Sequence, residues 1–143
     1  MIGMTFKAAK QNFFDRERVK KSVDSATRKV LSRFGAFVRT RAKTSIRRRK
    51  GTSPPGQPPY SHVGLLRQFV FFAYDQPRQS VVIGPVLLRE ESDAPKLLEH
   101  GGDVVHRTRR GARRMHYRPR PFMGPAFEKE KAALPALWKD SVR

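Results

Sequence analysis

The stretch from Asp15 to Arg48 contains no proline, and its apolar side chains fall three or four apart: Val19, Val23, Ala26, Val30, Phe34, Phe37, Val38, Ala42 and Ile46. Residues at that period share one side of an α-helix, and the stripe they form must be covered by something. The rest of the fold is therefore constrained to pack on a long N-terminal helix. Asp15 is placed to cap it, with Phe13 or Phe14 as the staple residue before the cap, and Arg47, Arg48, Arg49 and Lys50 follow where the helix dipole favours cations. At 1.5 Å per residue the helix would run roughly 45 to 50 Å, longer than a compact domain of this size needs. Part of it is expected to project or to pack on a neighbouring chain. Residues 1–14, MIGMTFKAAKQNFF, read as an arm that orders on a partner.

Residues 15–143 are expected to form a single domain. A Pro-rich loop spans 51–62, within GTSPPGQPPYSHVGLLRQ, and its prolines restrict the free chain, so fixing it against a surface costs less entropy than fixing a flexible loop. A helical turn comes next. Strands are expected around Gln68 to Tyr74 and Ser80 to Gly84 with a turn at Asp75 to Gln79, making a hairpin. Val86 to Asp93 reads as loop, and Ala94 to His100 as a short helix stopped by Gly101 and Gly102. Asp103 to Thr108 and Met115 to Arg118 flank a basic tip, RRGARR, and predict a second hairpin over 103–118. After the extended RPRPF, Pro125 suits the first turn of a C-terminal helix with Phe127, Leu134, Leu137 and Trp138 on one face, kinked or restarted at Pro135. The fold class is α+β: an antiparallel sheet built from hairpins, with the long helix, a short helix and a C-terminal helix packed on it.

Charge narrows the function. Among 143 residues, 31 Lys and Arg face 12 Asp and Glu, a formal +19. Self-repulsion of that size is usually neutralised by phosphates or by an acidic surface, and nucleic acid is the first expectation. No apolar run reaches the ~20 residues of a membrane span. The N-terminal stretch also lacks the apolar block of a signal peptide, so a soluble chain without a membrane partner is expected. The chain has no cysteine, which excludes disulfides and Cys-ligated zinc and is compatible with assembly in a reducing cytoplasm. No repeat with a period of about 20 to 50 residues is present, which removes solenoids and propellers.

The four histidines (His62, His100, His106 and His116) and the scattered carboxylates form no HExxH, paired-carboxylate or Ser/His/Asp spacing, and the glycines have no phosphate-loop spacing. Neither an enzymatic site nor a cofactor or metal is expected. Glu99 and His100 suit a capping and turn role better than a chemical one. Two arginine-rich clusters are more informative: Arg47, Arg48, Arg49 and Lys50, with Arg41 and Lys43, close the first helix, and Arg107, Arg109, Arg110, Arg113, Arg114, Arg118 and Arg120 crowd the second hairpin. A guanidinium forks onto phosphate or carboxylate. No compact helix-turn-helix, basic zipper or stacking motif accompanies them, so contact would be to backbone and non-specific. Phe69, Phe71, Phe72 and Tyr74 are assigned to the core or to a subunit interface rather than to base stacking.

In order along the chain stand "RTRAKTSIRRR" at the end of the long helix, "SPPGQPPYSHVGLLRQ", "SVVIGP", "LLEHGG" and "YRPRPFMGPAFEKEK". As a set they resemble the neck or tail-completion proteins of long-tailed bacteriophages, similar to lambda minor tail protein Z, over about residues 15 to 135. The resemblance implies a structural virion protein, assembled in the host cytoplasm, that forms a ring at the head-tail junction around the DNA channel. The ring would be a hexamer, or alternatively a dodecamer, with the head connector or adaptor proteins, the tail terminator or tail tube protein and genomic DNA as partners. Under this reading Arg47, Arg48, Arg49, Lys50, Arg107, Arg109, Arg110, Arg113 and Arg114 contact DNA or an acidic partner. Pro54, Pro55, Pro58, Pro59, Tyr60, Arg120, Pro121 and Phe122 belong to docking loops. A non-specific nucleic-acid-binding protein of ribosomal or nucleoid type is the alternative, and a nuclease has only scattered acids to support it.

Overall fold

The computed structural model describes residues 16–86, 93–109, 111–139 and 141. The expected arm over 1–14, the Asp15 cap with Phe13 or Phe14, Arg110 and most of the expected loop from Val86 to Asp93 lie outside them. Helix α1 spans Arg16–Ser45. Ala26, Val30, Phe34, Val38, Ala42 and, just past its end, Ile46 are each at most 4% exposed. They recur every four residues and form the main ridge of the core contact, beside which Thr27 and Gly35 of the neighbouring row are also buried. Val19, Val23 and Phe37 belong to the same sequence stripe yet are 46%, 42% and 39% exposed. The N-terminal end of the helix outruns the described elements that cover it, and Phe37 lies beside the buried ridge.

The core-facing half of α1 is covered first by a hairpin of β1 (Val70–Asp75) and β2 (Ser80–Pro85), paired antiparallel from Val70 opposite Pro85 to Asp75 opposite Ser80. A helical turn, α2 (Leu65–Gln68), leads into it. Strand alternation turns Val70, Val81 and Ile83 toward the core. Gly35 sets how closely the two layers meet, because a Cβ there would lie 2.7 Å from Val81 Cγ2 and 2.9 Å from Phe72 Cδ2. On the opposite face Phe71 and Val82 are 44% and 62% exposed. Gln79 at the hairpin turn donates from Nε2 to Asp24 Oδ1 of α1 at 2.8 Å, tying the far end of the hairpin to the helix.

Helix α3 (Ala94–His100) precedes β3 (Gly102–Thr108) and β4 (Gly111–Tyr117), and the chain closes with α4 (Met123–Lys131) and α5 (Leu134–Trp138). The restart expected at Pro135 is seen as a break between α4 and α5, with Pro135 in the first turn of the second piece. Phe122 and Ala126 join the α1 ridge in the core, with Leu134 and Leu137 packed beside them. Of the face expected for this helix, Phe127 meets Phe34 edge-on at 5.7 Å between ring centres but stays 41% exposed, and Trp138 is 38% exposed. The architecture is α+β, with helices packed on sheet, and among the described residues the strands form two separate two-stranded ribbons, β1–β2 and β3–β4. Only the first lies against the core.

Candidate nucleic-acid interface

Three segments far apart in sequence meet at the root of the second ribbon. The Pro-rich loop runs back along the end of α1, where Ser61 N donates to the Arg47 carbonyl at 3.0 Å and Arg47 and Tyr60 form an isolated parallel bridge. It is then tied to the RPRPF segment: Gly56 N donates to Pro119 O at 2.9 Å, and Arg120 Nε donates to Ser53 O at 2.8 Å. Arg120 N in turn donates to Leu98 O of α3 at 2.6 Å. Not all of the residues expected in docking loops are free to meet a partner. Phe122 is 1% exposed within the core, Pro59 is buried, and the Arg120 guanidinium is spent on backbone carbonyls of its own chain. They dock onto one another because a buried aromatic and a pair of interlocked backbones gain more inside the fold than in solvent. Pro54 and Pro55 remain exposed, with Pro58, Tyr60 and Pro121 half-buried.

Glu99 completes the junction. Its Oε2 accepts the backbone N–H of Phe122 at 2.9 Å and of Met123 at 3.0 Å, and its Oε1 accepts that of Gly124 at 2.7 Å. Those donors are the ones that the first turn of a helix leaves without an intrahelical partner, and a carboxylate there also complements the helix dipole. The capping role expected of Glu99 is thus real, but the helix it caps is α4, not its own. Two residues on, Gly101 turns the chain at a φ of 71°, where a Cβ would sit 2.7 Å from the Tyr117 carbonyl oxygen. Glycine is needed for both the left-handed backbone and the close approach of β4. The ribbon therefore leaves the body from a braced base.

Beyond its base the β3–β4 ribbon is bare. Gly102, Val104 and Tyr117 are half-buried, and every other described residue of the two strands is exposed. Pairing runs from Gly102 opposite Tyr117 to Thr108 opposite Gly111, which carries the strands further into RRGARR than the sequence reading placed them. Arg113 and Arg114 stand in β4, opposite His106 and Val105, and not in a loose tip. Strand alternation puts Asp103, Arg107, Arg114 and His116 on one face and His106, Arg113 and Tyr117 on the other. On the first face Asp103 accepts from Arg114 Nη2 at 2.8 Å and lies 2.8 Å from His116 Nδ1. The hydrogen bond with His116, then that from Arg114, holds the Asp103 carboxyl below its usual range. On the second face His106 Nε2 and the Tyr117 hydroxyl are 2.9 Å apart. Neither group was singled out from sequence, because each becomes visible only once the strand register is known.

The arginines divide by what they already hold. Arg114 is paired with Asp103, whereas Arg107, Arg109, Arg113 and Arg118 are exposed and their guanidinium groups have no ion-pair or hydrogen-bond partner among the described residues. At the end of α1 the picture differs: Arg41 is bonded to Glu130 of α4, and the Arg49 guanidinium stacks over the Tyr60 ring at 5.5 Å. Arg47, Arg48, Arg49 and Lys50 are exposed, but they sit on the body of the protein beside the Pro-rich loop. Arg39, not singled out beforehand, donates from Nε to Val70 O at 2.9 Å and lies over the Phe71 ring at 5.7 Å. The two predicted clusters are thus carried on separate elements, one on a packed helix end and one on a projecting ribbon. No protein-family model matches this chain, and neither a curated protein nor a solved structure was found similar to it.

Proposed function

We propose that this chain is a structural virion protein of a tailed bacteriophage, a neck or tail-completion component that acts by assembly rather than catalysis. It forms a ring, a hexamer or alternatively a dodecamer, between the head connector or adaptor proteins and the tail terminator or tail tube protein, around genomic DNA. The observation that carries this reading is apolar surface left open on elements that a lone domain would cover. Val19 and Val23 lie one turn apart on the outrunning end of α1, and Phe71 and Val82 lie on the outer face of β1–β2. Two separate apolar surfaces on one chain suit the head-to-tail contacts from which rings close. The motif order along the chain supports it as well: of the segments that carry the resemblance, SVVIGP forms β2, and parts of the others meet at the ribbon root.

Negative-stain images of the purified protein mixed with connector or tail ends should show rings, and a deletion mutant should accumulate unjoined heads and tails. Normal tailed particles from the deletion mutant, with no ring in the images, would sink the proposal. The bare ribbon arginines favour one second reading, a free nucleic-acid-binding protein of ribosomal or nucleoid type. Salt-dependent DNA affinity in a chain whose deletion leaves assembly intact would decide for that reading.

A further inference from the structure

We infer that the β3–β4 ribbon is the element that grips nucleic acid, and that it does so by entering a groove of duplex DNA and holding phosphates on both sides. The inference rests on the reading above only in taking DNA as the neighbour. Its first support is the distribution of free cations: Arg107 projects from one face, Arg113 from the other, and Arg109 from the turn, all exposed. An acidic protein surface would meet one face of a ribbon and leave the opposite arginine in solvent. A groove presents a phosphate wall on each side, and the major groove of B-DNA admits a two-stranded ribbon.

Rigidity is the second support. The ribbon is fixed at its root by Gly101 against Tyr117, by Glu99 on the first turn of α4 and by Arg120 on Ser53 and Leu98. Cross-strand bonds of Asp103 with Arg114 and His116 hold the lower part of one face, so ordering on DNA asks little further entropy of the backbone. The cluster at the end of α1 lacks this projection, and its Arg49 is already stacked on Tyr60. Contacts to phosphate carry no sequence information, so binding through these arginines is independent of sequence.

Fluorescence anisotropy of the full chain with a short labelled duplex of mixed sequence, titrated across KCl concentrations, tests this. The slope of log affinity against log salt should fall by about 0.9 for Arg107→Gln and again for Arg113→Gln, as each phosphate contact is lost. In the triple variant Arg107→Gln/Arg109→Gln/Arg113→Gln the slope should fall by about 2.7, so that a fourfold rise in salt weakens it about 40-fold less than the parent. The matching triple lysine variant should keep the parent slope, which separates charge from any loss of fold. Arg47→Gln/Arg48→Gln should change the slope less than the ribbon variants.

An unchanged slope in the triple glutamine variant overturns the inference. So does an effect confined to one of Arg107 and Arg113, which would mean a flat contact such as an acidic protein surface makes. Failure here leaves the ring proposal standing, because this assay needs no assembly. A chain that grips DNA through the ribbon but never enters particles refutes the ring alone.

Discussion

Replacing Glu99 by alanine removes the acceptor of three backbone N–H groups at the start of α4, at 2.7, 2.9 and 3.0 Å. Gly124 is exposed, so water can satisfy its N–H after the change. The N–H groups of Phe122 and Met123 are part-buried and lose partners that water replaces poorly. Each part-buried donor left unsatisfied costs about 1 to 1.5 kcal/mol, and losing the carboxylate from the helix N-terminus adds about 0.5 kcal/mol. The expected loss is therefore about 3 kcal/mol. For a domain of this size that lowers Tm by roughly 10 °C, readable by circular dichroism, with urea unfolding giving the free energy directly. Glu99→Gln keeps one acceptor oxygen but turns an amide toward a donor, so about 2 kcal/mol should go. Amide exchange supplies the local check: the Phe122 and Met123 amides should exchange faster than the global loss of stability requires. An alanine variant within 0.5 kcal/mol of the parent would refute the argument that this carboxylate braces α4 and, through it, the ribbon root.

Gly35→Ala should destabilise by about 1 to 2 kcal/mol in denaturant titration, despite alanine's helix propensity, because its methyl group would press on Val81 and Phe72 and lift β1–β2 from α1. Phe122→Ala should cost about 3 to 5 kcal/mol, since the ring is 1% exposed, whereas a docking residue would leave stability unchanged and impair only assembly. Asp103 has its folded pKa lowered by His116 first and Arg114 second, so its contribution is present above the unfolded carboxylate pKa and is lost as pH falls through the lower folded value. The resonances of Val104 and Met115 should thus hold their positions down through the ordinary carboxylate range and shift below it, and Asp103→Asn should abolish that step.

How much of this was legible in the sequence differs by element. The period of α1, the glycine stop after His100 and both hairpins followed from local rules that operate within one turn or one pair of strands. Their bounds agree with the structure to within a few residues. That part of α1 would stay uncovered followed from its length, but which residues of the stripe do so, Val19, Val23 and Phe37, did not, because period names the side of a helix that is apolar and not where its covering elements lie. RPRPF illustrates the same limit. An extended Pro-Arg segment reads alike whether it waits for a partner or lies against its own chain, and only the position of Ser53 and Leu98 decided the matter.

The sequence by itself determined that two groups of arginines exist, that one follows a long helix and that the other lies in a hairpin. Composition and short-range periodicity suffice for that. Tertiary structure decided which arginines are already engaged, since Arg41 meets a carboxylate on α4, Arg49 a ring in the Pro-rich loop and Arg114 an acid across the ribbon. It also decided that Arg107 and Arg113 face opposite ways, because a strand's register sets the side of every residue at once. Charge is additive along a chain and can be counted from a sequence. Pairing depends on distance, and distance between remote residues is what folding creates.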